Sequence, residues 1–250
     1  MWEIINMIIQ GKAEYRKENK NVLMLEAMYD TDEIISERSP RILNTHVPYR
    51  WLPRKLVINR GKIIHGLRNP KDVSVSLYNH MKTSGEIGEG TKDMTWEQFL
   101  ENMVLGDVIL YDGWFSYERQ MHKAKTANSD VIYTLFYEKL KLHPEEEIKK
   151  LADFLQVPCS DQLASDIMEA CSFAKLKNVE KYLPSDFLEK INSLQEKSGR
   201  PPMTPPVIYR KGSVGDWKNY FTVSQNERFD SRYKEEMKGL DIDFMYELPM

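Results

Sequence analysis

Apolar positions recur along this chain in three rhythms, and each predicts a kind of element. Over residues 2–17, Trp2, Ile5, Ile8 and Ile9 fall on one side of a 3.6-residue repeat, which predicts an amphipathic helix. Ile63, Ile64 and Leu67 make a short run of strand length, with His65 inside it. Residues 131–136 are rich in β-branched and aromatic side chains and predict a second strand, Val131 to Phe136. Ile42 and Leu43 predict a further short buried strand that Pro48 ends. Helical spacing returns behind Pro70, with Val73 and Leu77 as the apolar face, and again from Thr95, where Gln98 completes a capping-box pattern. It recurs over 113–125, where Trp114 and Phe115 read as core, and over 160–178, where Leu163, Ile167 and Ala170 line one face of a single helix. Three Glu ahead of Lys149 and Lys150 complement a helix dipole and read as a solvated face. A last helix starts near Thr222. Residues 18–39 are polar with scattered apolar positions, 85–90 (GEIGEG) read as a surface loop, and 179–208 carry Pro184, Pro201, Pro202, Pro205 and Pro206. A polar segment of that length is either disordered or a functional lid.

The chain is organised around residues 62–80, KIIHGLRNPKDVSVSLYNH, which read as strand, tight turn and helix. Asn69 offers an N-cap, Pro70 suits the first helical position, and Asp72 puts negative charge in the first turn. In an open parallel sheet such a junction lies at the carboxyl end of a strand, where ligands bind. Arg68 sits at the junction and can fork onto a phosphate, and the helix start adds free N–H groups. Strand–turn–helix with an Arg at the turn is common in α/β proteins, so this pattern alone leaves a purely structural role open. A second basic cluster, Arg210 and Lys211, precedes Gly212 and Gly215, whose missing side chains let backbone N–H groups approach an anion.

Composition narrows the function classes. The 250 residues can bury a full core as one large domain or two small ones. A net charge of −3 draws the chain neither to nucleic acid nor to anionic lipid, although a local basic pocket is compatible with it. Cys159 and Cys171 form no CxxC, and no histidines pair at ligand spacing, so neither a metal site nor a disulfide framework is expected. The N-terminal apolar stretch is interrupted by Glu3 and Asn6, too short to span a membrane, and lacks signal-peptide features. These readings point to a cytoplasmic protein without nucleic-acid or membrane partners.

Three separated motifs carry a family resemblance. RNPKDVSVSLYNH from Arg68, NTHVP from Asn44 and RKGSVGDWKNYFT from Arg210 resemble segments of the cytosolic sulfotransferases, and the likeness runs from Trp2 to about residue 240. The resemblance implies a single α/β domain over 1–250, a P-loop-like three-layer fold with a central parallel sheet flanked by helices. It implies transfer of a sulfuryl group from PAPS, 3′-phosphoadenosine 5′-phosphosulfate, to a hydroxyl or amine of a small acceptor, with PAP as product and no metal. Arg68, Ser76, Arg210, Lys211 and Gly212 would hold the 3′-phosphate. His46 would be the general base, a role suited to an unperturbed pKa near ~6.5. The family's Lys two places before that His is Asn44 here. Trp2, Tyr137, Cys171 and Phe173 would surround the adenosine; Tyr137 reads equally as a strand-end tyrosine anchored by its hydroxyl, and Phe173 equally as core. Lys218, Thr222, Val223 and Glu227 match the family's short dimerisation motif, implying a weak homodimer. Residues 179–208 would be the lid. In the family, a strand and a Lys-Ser-Gly-Thr-Thr-Trp loop precede the first helix, and Trp2 matches that loop's final Trp. The expectation is therefore a fold without its first strand and phosphosulfate loop, and much reduced turnover by this chain, with PAP binding or dimerisation without turnover as the alternative.

Overall fold

The computed structural model describes residues 1–16, 24–27, 39–84, 93–106, 111–180 and 209–249, with residues 189, 192–193 and 196. The expected loop at 85–90 and most of the expected lid at 179–208 lie outside these residues. In chain order the helices are α1 (Trp2–Gln10), α2 (Arg54–Ile58), α3 (Pro70–Ser84), α4 (Trp96–Phe99), α5 (Trp114–Ala127), α6 (Tyr137–Leu142), α7 (Pro144–Leu155), α8 (Asp161–Ala170), α9 (Phe173–Glu180) and α10 (Val223–Glu236); the strands are β1 (Ile63–Leu67) and β2 (Ile132–Phe136). They fall into two units, Met1–Val47 with His143–Met203, and Pro48–Leu142 with Thr204–Met250.

In the first unit α1 packs on α7 and α8. It is shorter than the helix expected over residues 2–17. Gly11 takes φ 66°, its N–H bonds back to Ile8, and the helix stops there. Glycine, having no Cβ, enters that left-handed conformation at least cost. The buried face is also rotated: Ile4, Met7 and Ile8 are buried, whereas Trp2, Ile5 and Ile9 are half-buried. Ile148, Leu151 and Ala152 of α7 and Ala164 and Ile167 of α8 complete this core. The single helix expected over 160–178 is two. Cys171 N–H closes α8 on the Ile167 carbonyl at 2.8 Å, and the Ser172 carbonyl opens the next helix by accepting from Leu176 N–H at 3.0 Å. The acidic start of α7 is not wholly solvated, because Glu147 is buried and held by Lys150 at 2.9 Å. The strand expected at Ile42–Leu43 does not form: Leu43 is exposed, and the pairing there is an isolated parallel bridge between Asn44 and Met24.

The second unit is built on β1 and β2, which pair in parallel from Ile63↔Ile132 to Leu67↔Phe136. Helix α5 covers β2, packing Met121 and Ala124 on Val131 and Ile132. Helix α3 follows β1 as predicted, but its buried face is Val75, Tyr78 and Met81, with Val73 and Leu77 only half-buried. That face meets α4, whose Thr95–Gln98 capping box is formed, in an aromatic cluster of Tyr78, Trp96, Phe99 and Tyr220 with paired centroids 5.4–6.2 Å apart. Trp114 and Phe115 pack as core, against Phe244 at 5.9 Å and Phe229 at 6.2 Å.

Ile167, with 0% exposure, is expected to cost about 2–5 kcal/mol when cut to Ala, whereas Val223→Ala, at a 77% exposed position, should stay within about 0.5 kcal/mol. Urea denaturation of the two variants checks the contrast.

Candidate functional site

The parallel register carries one step past the strand ends. Because Leu67 pairs with Phe136, Arg68 comes out beside Tyr137 and Asn69 beside Glu138. The Arg68 guanidinium lies over the Tyr137 ring at 4.6 Å. Burial pushes the Tyr137 phenol above its ordinary pKa, and the Arg68 charge opposes this only in part. Asn69 caps α3 as predicted, its Oδ1 accepting from Asp72 N–H at 2.9 Å.

The segment starting at Arg210 is fastened to this same junction. Arg68 Nη2 donates to the Ser213 carbonyl at 2.9 Å and to Asp72 Oδ2 at 3.1 Å. Asp72, fully buried, accepts from Gly215 N–H at 2.9 Å and Trp217 N–H at 3.0 Å. Gly215 sits at φ 90°, where a side chain would be strained. The neighbouring Lys71 is buried. Its Nζ donates to Asn226 and Asp230 at 2.6 Å and lies 4.7 Å from the Trp217 ring and 5.0 Å from Tyr246, whose carbonyl accepts from the Trp217 indole at 3.0 Å. Arg210 and Lys211 both turn onto Asp216, which Asn219 also contacts at 2.8 Å. Burial alone would raise the Asp216 carboxyl, but the hydrogen bonds from Lys211, Arg210 and Asn219 outweigh it and hold the pKa at about 2. Gly212 follows at φ 66°. Ser76 is exposed, one turn beyond Asp72 on the same side of α3. Two cationic segments distant in sequence thus meet at one helix start. Among the described residues, Arg68 Nε is buried with no hydrogen-bond partner.

Trp2, His46, Cys171 and Phe173 belong to the first unit. His46 is bound by Glu26, whose Oε1 lies 2.8 Å from Nδ1 and accepts from the His46 backbone N–H at 2.6 Å; Glu26 Oε2 accepts from Thr45 at 2.8 Å. Burial favours the neutral Glu26 acid, yet these bonds outweigh it and leave its pKa below the ordinary value. The Cys171 thiol is 3.8 Å from the Met7 sulfur, and burial pushes its pKa up to about 11, so it stays protonated. Trp2 Nε1 is buried without a partner among the described residues. Phe173 opens α9 with Lys177 Nζ 5.9 Å from its ring centroid. In the second unit, Thr222 caps α10 through Gln225, Val223 is exposed, Glu227 is exposed, and Lys218 pairs with Glu247 at 2.5 Å. Among the described residues no group of three His, Cys, Asp or Glu could hold a metal ion, and no helix is long and apolar enough to cross a membrane.

Sequence reasoning missed Glu26, Glu138 and Asp216, and it read Asp72 only as a charge on the helix start. Glu138 could have been found by extending the strand register past Phe136; Glu26 lies in a polar stretch with no spacing that ties it to His46.

Asp216→Asn replaces the carboxylate that both cations share with a neutral amide and is expected to cost about 1–3 kcal/mol at pH 7. The folded-state pKa is the depressed one, so this contribution is complete above the ordinary carboxylate range and is lost as pH falls through about 2. Melting curves of both proteins against pH should therefore converge toward pH 2.

Comparison with known proteins accords with this geometry. Residues 3–241 match the family described as Sulfotransferase domain. Sulfotransferase 1B1 of Canis lupus familiaris is 34% identical over 222 residues, which are 87% of this chain and 68% of that protein. Its Mus musculus counterpart is 37% identical over 210 residues, 82% of this chain and 64% of that protein. The chain thus spans about two thirds of the length of these relatives. Among solved structures, mouse sulfotransferase SULT7A1 complexed with PAP superposes with TM-score 0.65 at 30% identity, covering 84% of this chain and 71% of that one. Retinol dehydratase in a complex with retinol and PAP, at TM-score 0.66 and 20% identity over 87% of this chain and 60% of that one, shares the fold. With parallel strands ending in an Arg-Asn-Pro helix start, and with matches over nearly its whole length, the chain belongs to the sulfotransferase family and has its α/β P-loop-like fold.

Proposed function

We propose that this chain binds PAPS and its product PAP through the 3′-phosphate, and that it transfers the sulfuryl group to a hydroxyl or amine of a small acceptor. The observation that carries the reading is the union of Arg68 with the segment beginning at Arg210, through Ser213 and Asp72. A phosphate dianion accepts several charge-assisted hydrogen bonds at once. Arg68 Nε, without a hydrogen-bond partner among the described residues, the exposed Ser76 hydroxyl and the backbone at Gly212 are groups of the kind such an anion recruits. Arg210 and Lys211 supply further positive charge, steered by Asp216. By resemblance, Trp2, Tyr137, Cys171 and Phe173 surround the adenosine, Cys171 as a neutral thiol. PAP bound to the related SULT7A1 supports the nucleotide assignment.

In the transfer, the acceptor oxygen or nitrogen attacks sulfur, and the bond from sulfur to the 5′-phosphate oxygen breaks. PAP leaves with the electron pair, and the acceptor's proton passes to His46. With Glu26 on Nδ1, the proton is taken at Nε2, since the partner of one ring nitrogen sets the role of the other. The second reading, nucleotide binding without turnover, rests on Asn44, which stands where the family has a Lys and brings no charge. We also assign the chain to the cytoplasm, in keeping with two free thiols, and to a weak homodimer through Lys218, Thr222, Val223 and Glu227. The exposed Val223 supports that contact, and Lys218 would exchange Glu247 for the Glu227 of a second copy.

Calorimetric titration with PAP tests the assignment. Arg68→Ala and Arg210→Ala are each expected to weaken binding by about 10–100-fold, the loss of charged hydrogen bonds. Absence of PAP binding by the wild-type chain overturns the reading. His46→Ala should abolish sulfuryl transfer to a phenol or alcohol while leaving PAP affinity unchanged; a wild-type chain that binds PAP and does not turn over establishes the second reading.

A further inference from the structure

We propose that Glu138 is a positioning residue for Arg68, acting through Asn69, and thereby sets how tightly the site grips a 3′-phosphate. The inference rests on the nucleotide reading above.

Glu138 is 1% exposed and lies in the first turn of α6, directly after β2. The strand register sets it beside Asn69. Its Oε1 accepts from the Asn69 backbone N–H at 2.8 Å and from the Asn69 side-chain amide at 3.0 Å. That backbone N–H belongs to the peptide joining Arg68 to Asn69, so the carboxylate fixes the plane from which the Arg68 side chain departs. The Asn69 amide continues to Asp72 Oδ2 at 3.1 Å, the same oxygen that receives Arg68 Nη2 and Gly215 N–H. Asn69 is 0% and Asp72 2% exposed. A buried polar chain therefore runs Glu138, Asn69, Asp72, and ends on both sides of the cation cluster.

The root of this chain carries an anomaly. Glu138 Oε2 is buried with no hydrogen-bond partner among the described residues. Buried polar atoms are nearly always paired, and an exception calls for a reason. A glutamine would accept at one oxygen without the orphaned acceptor, but its bonds to Asn69 would be neutral and about half as strong. The carboxylate fits a requirement for a strong, immobile anchor at this turn. Pre-set geometry matters here because each rotamer fixed before binding is one that the ligand need not order.

The test uses the full chain, PAP, calorimetry and phosphorus NMR, which separates the 3′- from the 5′-phosphorus of bound PAP. Glu138→Gln is expected to weaken PAP binding about 3–30-fold. It should also move the 3′-phosphorus resonance and its protonation midpoint back toward free PAP, while the 5′-phosphorus shift stays as in wild type. Asn69→Ser keeps an N-capping hydroxyl but removes the amide that joins Glu138 to Asp72. It should reproduce the effect, and it carries the test if Glu138→Gln does not fold. Wild-type affinity and an unchanged 3′-phosphorus signature in the folded variant overturn the inference. So does an equal shift of both phosphorus resonances, which marks general loosening. A wild-type complex in which the 3′-phosphorus is unperturbed fails the nucleotide reading itself, a result distinct from either.

Discussion

The parallel pairing of β1 with β2 is the constraint on which the second unit depends. Its register determines which residues emerge side by side where the strands end, and a slip of one residue would turn every side chain to the opposite face. With Leu67 facing Phe136, a guanidinium meets an aromatic ring and an asparagine meets a carboxylate. Five residue pairs of sheet thus decide the chemistry of the turn that follows.

Carboxylates then arrange the cations. Like charges near one another repel, and Arg68, Arg210 and Lys211 are each met by an acid. Asp72 serves the first and Asp216 the other two. Each acid has a second task. Asp72 takes two backbone N–H groups of the facing segment, and Asp216 takes the Asn219 amide, so neither is only a counter-charge. Breaking such a buried pair leaves an uncompensated charge, which costs far more than the intact pair contributes. The first unit repeats the device at lower burial, with Glu26 gripping both the backbone and the ring of His46.

What was legible in the sequence was local. Strand β1, the Asn69 cap, the start of α3 and the Thr95–Gln98 box depend on neighbours within a turn or a strand, and they form where spacing puts them. The family was legible because three motifs preserve residue types at fixed spacing. Faces and ends were less so. Periodicity allowed more than one apolar stripe on α1 and α3, and packing partners chose Ile4–Met7–Ile8 and Val75–Tyr78–Met81. Gly11 ended a helix expected to run to residue 17, and Cys171–Ser172 broke another expected to be continuous over 160–178. Ile42 and Leu43 had the composition of a strand but bridged only at Asn44. The anchoring acids were hidden for a different reason. Glu138 and Asp216 look like ordinary surface charges until the fold buries them, and Glu26 until His46 comes beside it, because what distinguishes them is a partner brought close by tertiary structure.

Lys71 shows how narrowly such a partner can be specified. Its ammonium is surrounded by the rings of Trp217, Tyr246 and Phe229, at 4.7, 5.0 and 5.8 Å, and capped by Asn226 and Asp230. A compact, near-spherical cation fills that enclosure, whereas a flat guanidinium is wider and needs donors met in one plane. An arginine, which a chemist would choose first to preserve charge here, is therefore the wrong shape for the space.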